Sequence, residues 1–485
     1  MSTIYERLGV RPIVNGVGTV TRLGGSLMPP PVLEAMLDAA RYYVPLQELQ
    51  AAAGRRLAEL TRNEAAYVAS GAAAGLVLAT AACVTGNDPA RMALLPRPDR
   101  IAGGRHKVVV YRSQRNSYDF AVRQVGIELV EIGPARAQAG DRSPDPAELA
   151  RALDDRTAAV VFFAGEHFAR GALPVEQVVE IAHARRVPVI VDAAAQIPPV
   201  ENLWKFTGKG GPAPWAQALA RLGISVDGGR RTADRSAVRR PPSAVDPVAA
   251  GEAAFQVTSA GADLAIFSGG KGLCGPQSTG LIVGRADLIA AIARQGNPNQ
   301  LIGRPMKVGK EEICGLVAAV EWYLALDFEA LAARYEQQVQ HVIDAVSDVP
   351  GVVARRDWPN EAGQPMPRAL ITLTGEAPLT RDALQQRLLA GDPPVELSAA
   401  GADGVYVNPQ NLREGDEVLV ADALRRALEG PFDPSSAGRV GSPSPLEQRP
   451  IQNPGARASG RSKIPNGPEG GEGGRSARTT VGASR

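Results

Sequence analysis

Three short segments carry residue types that can do chemistry together. Residues 262–280 (ADLAIFSGGKGLCGPQSTG) run an apolar stretch into Ser268-Gly269-Gly270-Lys271. Two glycines let the backbone turn tightly and bring a ligand close. Ser268 offers a hydroxyl to a phosphate, and a buried Lys271 amine would lose charge by desolvation and become nucleophilic. Residues 187–199 (VPVIVDAAAQIPP) end an apolar run in Asp192, followed by small residues and Gln196. A carboxylate in that place suits the protonated pyridine nitrogen of pyridoxal phosphate (PLP), which makes the ring an electron sink. Ala194 leaves room for a flat ring. Residues 66–83 (AYVASGAAAGLVLATAAC) lead through Ser70-Gly71-Ala72 into a small-residue helix. Helix N-termini bind phosphate through unpaired N–H groups and the helix dipole. Each segment also has an ordinary structural explanation: a surface lysine on a glycine turn, a capping aspartate, tight helix packing. Neither GxGxxG nor a Walker GxxxxGK[ST] motif competes for the phosphate role.

These segments need elements to hold them. From Glu64 to about Gly284, short apolar runs alternate with amphipathic stretches. The runs are Lys107–Tyr111, Glu128–Ile132, Ala158–Phe163, Val187–Val191, Asp263–Phe267 and Gly280–Val283. Between them, Val175–Arg186 puts Val178, Ile181 and Ala182 on one helical face. The alternation predicts an α/β domain with a mostly parallel, covered sheet. Ligands in such sheets gather at the carboxyl ends of the strands, here 113–118, 192–196 and 268–271. Residues 1–45 read as an extended arm and a first helix, with Val32, Met36, Ala39, Ala40 and Tyr43 at helical spacing. Residues 46–309 form the large domain. Residues 208–257, rich in Gly, Pro and Arg, read as a partly disordered insertion. Residues 310–430 form a smaller C-terminal α/β domain, opened by a long helix from Lys310. Residues 431–485 have almost no large apolar side chains and read as a disordered tail.

Composition sets limits on function. The chain has 485 residues, 44% hydrophobic and 21% charged, with a formal net charge of +2. The tail holds eight Lys/Arg against four Asp/Glu, so the body is slightly acidic. No basic face calls for nucleic acid. Cys83, Cys274 and Cys314 are far apart and form no Cys/His cluster, so no metal site is expected. Unpaired cysteines, no signal-peptide pattern and no membrane-length apolar run fit a cytoplasmic protein.

The order of the motifs (small-residue phosphate loop, strand-end Asp, Ser-x-x-Lys) resembles the large domain of fold-type I PLP-dependent enzymes, the aspartate-aminotransferase superfamily. Within it, the chain is similar to the selenocysteine synthase-like branch. The segments carrying the likeness are NGVGTVTRLGGS (15–26), ASGAAAGL (69–76), RNSYD (115–119), RGALPVEQVVEIAH (170–183), VDAAAQIPPVENLW (191–204), SGGKGLCGPQSTGL (268–281) and GRPMKVGKEE (303–312). They span roughly residues 5–430. The resemblance implies that Lys271 carries PLP as a Schiff base and that Asp192 pairs with the pyridine nitrogen. It implies that Ser70, Gly71, Ala72 and Ser268 hold the phosphate and that Gln196 reaches the ring hydroxyl. Arg304 and Lys307 suit a substrate carboxylate or phosphate. Asn15, Thr19 and Thr21 lie in the arm that approaches the site in such enzymes. One departure stands out. Relatives carry RGHRN before the tyrosine, and here Gln114 takes the place of the histidine; glutamine cannot titrate.

The leading expectation is a lyase that performs α,β-elimination with ammonia release on a hydroxy-amino acid or amino-sugar acid. Seryl-tRNA selenium transfer, transamination and a PLP-binding scaffold without turnover are the alternatives. Fold-type I sites are usually built between subunits, which implies at least a homodimer acting on a small molecule.

Overall fold

The computed structural model describes residues 3–135, 144–225 and 261–429. Thirteen strands run in chain order. They are β1 (Val14–Asn15), β2 (Ala65–Ala69), β3 (Lys107–Tyr111), β4 (Glu128–Ile132), β5 (Thr157–Phe163), β6 (Val189–Asp192), β7 (Leu264–Ser268), β8 (Gly280–Gly284), β9 (Val352–Asp357), β10 (Arg368–Leu373), β11 (Val395–Glu396), β12 (Ser398–Ala400) and β13 (Gly404–Val407). Seven form the main sheet in the order β2-β8-β7-β6-β5-β3-β4. Only β8 runs against its neighbours in that sheet. The mostly parallel α/β reading therefore holds, with the six runs named from sequence all in place.

Side-chain alternation along the strands builds two cores. Val109, Val160, Val189, Val191, Phe267 and Leu281 face one way, with Leu57, Val178, Trp215, Leu316 and Phe328 packed over them. Val108, Val161, Ile190, Leu264, Ile266 and Ile282 face the other way, covered by Leu76, Val77, Ile289 and Ile292. The Ala72–Thr85 helix is apolar all round, because it is enclosed rather than half-exposed.

The smaller domain is an antiparallel sheet, β12-β13-β10-β9, backed by helices Phe328–Val346, Arg381–Ala390 and Asp416–Glu429. The N-terminal arm joins it: β1 pairs in parallel with β11, and Val14 lies in that domain's core. After a short helix at Ile4–Arg7, the helix expected from Pro31 covers Pro30–Ala39, not as far as Tyr43. Pro45 disfavours helical backbone at the residue before it, and Tyr43 is fully exposed. Among the described residues no helix is long and apolar enough to cross a membrane.

The expected insertion begins as ordered structure. Pro214–Arg221 is a helix whose Trp215, Ala218 and Leu219 are buried. An indole can tie a loop into a core when its N–H finds an acceptor, and Trp215 Nε1 donates to Pro365 O at 3.1 Å. Residues 226–257, and the expected tail at 431–485, lie outside the described residues. Trp215 also packs against Phe328 and Tyr335, ring centroids 6.3 Å away in each case. Trp215→Ala is expected to cost about 3–5 kcal/mol, read as a lower urea midpoint for unfolding.

Candidate active site

Sheet register brings the first and third motifs to one edge. Ala69 on β2 and Ser268 on β7 both pair with Gly280 on β8. Asp192 ends β6, paired with Ile266 two residues before Ser268. Ser70, Ser268 and Asp192 therefore lie along the carboxyl edge of the parallel strands, where the strand-end rule directs a ligand.

Gly71 turns the chain from β2 into the Ala72–Thr85 helix at φ 119° and ψ 161°, a conformation that L side chains avoid. The first helical hydrogen bond there runs from Gly75 N to Gly71 O. The N–H groups of Ala72, Ala73 and Ala74 thus have no acceptor within the helix, the arrangement that binds a phosphate. Room for this turn depends on Gly280. A Cβ there would stand 2.4 Å from Gly71 C and 2.7 Å from Ala72 N.

The loop carrying Lys271 is packed just as closely. A Cβ on Gly269 would meet Thr279 Oγ1 at 2.0 Å, one on Gly270 would meet Gln277 Cα at 2.3 Å, and one on Gly272 would meet Ile197 O at 2.0 Å. The arm seals the loop from outside. Ser26 N and Oγ donate to Gly270 O, Ser26 Oγ donates to Lys271 O at 2.7 Å, and Gln277 Nε2 donates to Thr21 O.

Burial governs the electrostatics. It pushes the Asp192 carboxyl upward, opposed by the Ala194 N–H and by the charge of Lys271. Burial also pushes the Lys271 amine downward, opposed by Asp192 and Glu361. The two groups thus share one poorly solvated space, where a perturbed amine marks a candidate nucleophile. Asp192 Oδ1 accepts from Ala194 N at 3.0 Å, and Oδ2 has no hydrogen-bond partner among the described residues.

The other residues singled out in the sequence lie on turns, loops and the arm. Gln114 is fully buried, accepting from Phe163 N at 3.1 Å and donating to Phe168 O at 3.5 Å. Both ends of its amide brace the backbone after β5. Gln196 Nε2 donates to Ala362 O at 2.9 Å and more weakly to Ala164 O, so its donor joins the two domains. Asn15 turns its amide onto its own loop, bonding Val17 N, Gly18 N and Gly18 O. Thr21 begins a short 3-10 turn and is exposed. Arg304 and Lys307 are exposed between helices Ala286–Gln295 and Lys310–Leu324, with Arg304 near Asn297 Oδ1 at 3.5 Å. Neither is among the charges that act on Lys271 or Asp192.

Sequence reasoning missed Glu361 and Ser26. Ser26 ends the arm segment 15–26, and its residue type carries no chemical signal there. Glu361 sits in a Pro- and Gly-rich turn (WPNEAGQPMP) whose spacing gives no chemical signal.

A model of the L-seryl-tRNA selenium transferase family matches residues 250–336, which include Lys271. The chain is 32% identical to a 5'-C-glycyluridine monooxygenase-decarboxylase from Streptomyces sp over 87% of this chain and 92% of that protein. It is 29% identical to the D-glucosaminate-6-phosphate ammonia lyase of Salmonella typhimurium, over 89% of this chain and 99% of that protein. A solved D-glucosaminate-6-phosphate ammonia-lyase structure superposes with a TM-score of 0.67 at 27% identity, covering 88% of this chain and 99% of that one. The chain belongs to the selenocysteine synthase-like family of fold-type I PLP-dependent enzymes. Its cofactor is PLP, and the edge described above fits that group: unpaired helix N–H groups for a phosphate, then in chain order a buried carboxylate with one oxygen unpartnered among the described residues, and last a desolvated amine. Gly280→Ala is expected to weaken PLP binding by about tenfold or more (~1.4 kcal/mol), measured by equilibrium dialysis of the full chain.

Proposed function

We propose that this enzyme is a lyase which breaks bonds at Cα and Cβ of a hydroxy-amino acid or amino-sugar acid and releases ammonia. The reading rests on one observation: a desolvated Lys271 amine stands beside a buried carboxylate at the strand edge that also presents unpaired helix N–H groups. When bound, the cofactor supplies an electron sink for a bond breaking at Cα. Asp192 would hold its ring nitrogen protonated. The N–H groups of Ala72–Ala74, with the hydroxyls of Ser70 and Ser268, would hold its phosphate. Lys271 Nζ would carry it and, once the substrate amine has taken its place, would move the proton from Cα toward the group leaving Cβ. Burial suits that role, because a neutral amine accepts the Cα proton. Gln114, Gln196 and Asn15 would act as framework around the site, and Arg304 and Lys307 would meet an anionic substrate group from outside.

Similarity to the Streptomyces monooxygenase-decarboxylase favours a second reading, in which the bond broken at Cα is that to the carboxylate. Both readings need the same electron sink and the same Asp192. They differ in product, ammonia in one and carbon dioxide in the other.

The substrate would be a small molecule and the working unit at least a homodimer. Leu27, Leu33, Leu37, Tyr42, Tyr43 and Val44 are exposed within one short stretch of the arm and first helix. Apolar surface of that kind is usually covered by a partner, and sedimentation of the full chain should give a dimer or larger. The three cysteines are unpaired, which fits a reducing cytoplasm.

Lys271→Ala is expected to abolish the absorbance of lysine-bound PLP. It should also lower product release by roughly 10²–10⁴-fold, the range for losing a positioned proton carrier. A screen of D- and L-hydroxy-amino acids and amino-sugar acids, read for both ammonia and carbon dioxide, separates the two readings. Retention of the lysine-bound absorbance by the variant would remove Lys271 from its role.

A further inference from the structure

The main sheet stops at β2, and beyond that edge lies a groove of about 540 Å³. The Leu46–Thr61 helix walls it on one face of the sheet and the Ala286–Gln295 helix on the other. The volume is that of a small-molecule site. Neither the phosphate turn nor Asp192 nor Lys271 lines it. Small side chains keep it open. Gly54 brings the first of these helices so close that a Cβ there would stand 2.5 Å from Ala66 O. Ala58 on that helix, and Ala290 and Ala293 on the other, leave apolar walls, to which Ile289 adds a buried face. The strand edge itself is already engaged. Gln50 donates to Val68 O at 2.8 Å and accepts from Val68 N at 3.4 Å, doing for that residue what a neighbouring strand would do. With Gly54 set over Ala66 O, a further strand has no run of free edge to pair with.

The polar lining is one-sided. Among the described residues Glu64 is its single carboxylate, and both oxygens are taken: Lys209 Nζ donates to one at 3.2 Å and Ala286 N to the other at 3.2 Å. The amides of Gln47 and Asn299 meet each other at 3.2 Å. What remains are donors. Asn297 is buried, its Oδ1 lies 3.5 Å from Arg304 Nη1, and its Nδ2 has no hydrogen-bond partner among the described residues. A buried amide nitrogen in that state costs stability until something accepts from it. The Tyr67 hydroxyl ends close by, since a Cβ on Gly296 would stand 2.1 Å from it. Burial pushes that phenol up to about 12, so it keeps its proton at neutral pH. Arg55 and Arg294 line the groove from the two helices. Both are exposed, and neither side chain has a partner among the described residues.

We propose that this groove is a second small-molecule site, which takes a carboxylate carried on a compact apolar body. An ionised carboxylate only accepts hydrogen bonds, so it complements a lining whose unengaged groups only donate. Two guanidinium groups with no carboxylate of their own supply the charge. Arg294 stands three residues before Asn297, so the head of the ligand settles at that end of the groove, within reach of Asn297 Nδ2 and the Tyr67 hydroxyl. The apolar body lies on Ile289 and the alanines of the two helices. The site is separate from the cofactor edge and does not depend on the reaction assigned to that edge.

Benzoate is the probe, with benzamide as its neutral match and inorganic phosphate as an anion without an apolar body. Binding to the full-length protein carrying PLP would be measured by isothermal titration. Benzoate should bind at least about tenfold more tightly than either control. Arg55→Gln and Arg294→Gln should each weaken it by about three- to tenfold. Ala290→Phe fills the groove from an exposed helix position and should abolish binding while the Tm is kept. A carboxylate can also enter beside the cofactor, so the same titrations would be run on Lys271→Ala and Lys307→Gln, and benzoate affinity should be unchanged in both. Binding that survives Ala290→Phe, binding lost in Lys271→Ala or Lys307→Gln, or equal affinity for phosphate would overturn the proposal. So would an absence of benzoate binding by the wild-type protein. If Ala290→Phe then also lowers the oligomeric state in sedimentation, the groove belongs to a second copy of the chain instead.

Discussion

A lysine amine and a carboxylate brought together in a poorly solvated space set the terms for this fold. Burial acts against the charged form of both Asp192 and Lys271, and each favours the charged form of the other. A pair of that kind lasts only where the backbone on both sides is rigid. The parallel strands supply one side, because β6 and β7 are hydrogen-bonded neighbours that end at the same edge. The glycine loop supplies the other, with Gly269, Gly270 and Gly272 each filling space in which a methyl group would collide with a neighbour. Close-packed interiors have no slack to absorb such a collision.

Three parts of the chain that lie far apart converge on this loop. The arm reaches it through Ser26, the smaller domain through the 360–364 turn, and the large domain through Ile197, whose carbonyl accepts from both Gln364 and Gln410. The arm is itself anchored in the smaller domain by the pairing of β1 with β11. Movement of the smaller domain would therefore pull on the backbone that carries Lys271. Hydrogen bonds between domains make the position of the amine depend on the whole body rather than on its own loop.

The glutamine at position 114 takes its meaning from its neighbours. An amide that accepts from Phe163 N and donates toward Phe168 O joins the end of β5 to the short helix that follows. Glutamine has a donor and an acceptor at one terminus and needs no proton exchange to satisfy both. At this position the chain has a brace whose hydrogen bonds do not depend on pH.

Much of the scaffold was legible from residue order. Short apolar runs marked β3 and β4 to the residue, and the remaining runs to within two residues. The central strands β5, β6 and β8 are buried along their whole length, so they must be continuous in hydrophobicity. The phosphate turn, Asp192 and Lys271 were legible for a related reason: each sits where a strand ends in small residues, a local feature that the chain cannot hide. Trp215 was not, because a Gly- and Pro-rich approach masks an indole that finds its core only through Phe328 and Tyr335. Nor were the amides of Gln114, Gln196 and Asn15, whose partners depend on which backbone groups the fold leaves unpaired. Glu361 is the clearest case. Nothing in the turn that holds it differs from an ordinary surface loop. Its charge bears on Lys271 only through the fold, which fastens the 360–364 turn to the loop after Asp192. The sequence by itself determined the sheet, its chemical edge and the cofactor. Tertiary structure alone decided which charges surround the amine, because electrostatic interaction depends on distance through space and on solvent exclusion, and neither is written in residue spacing.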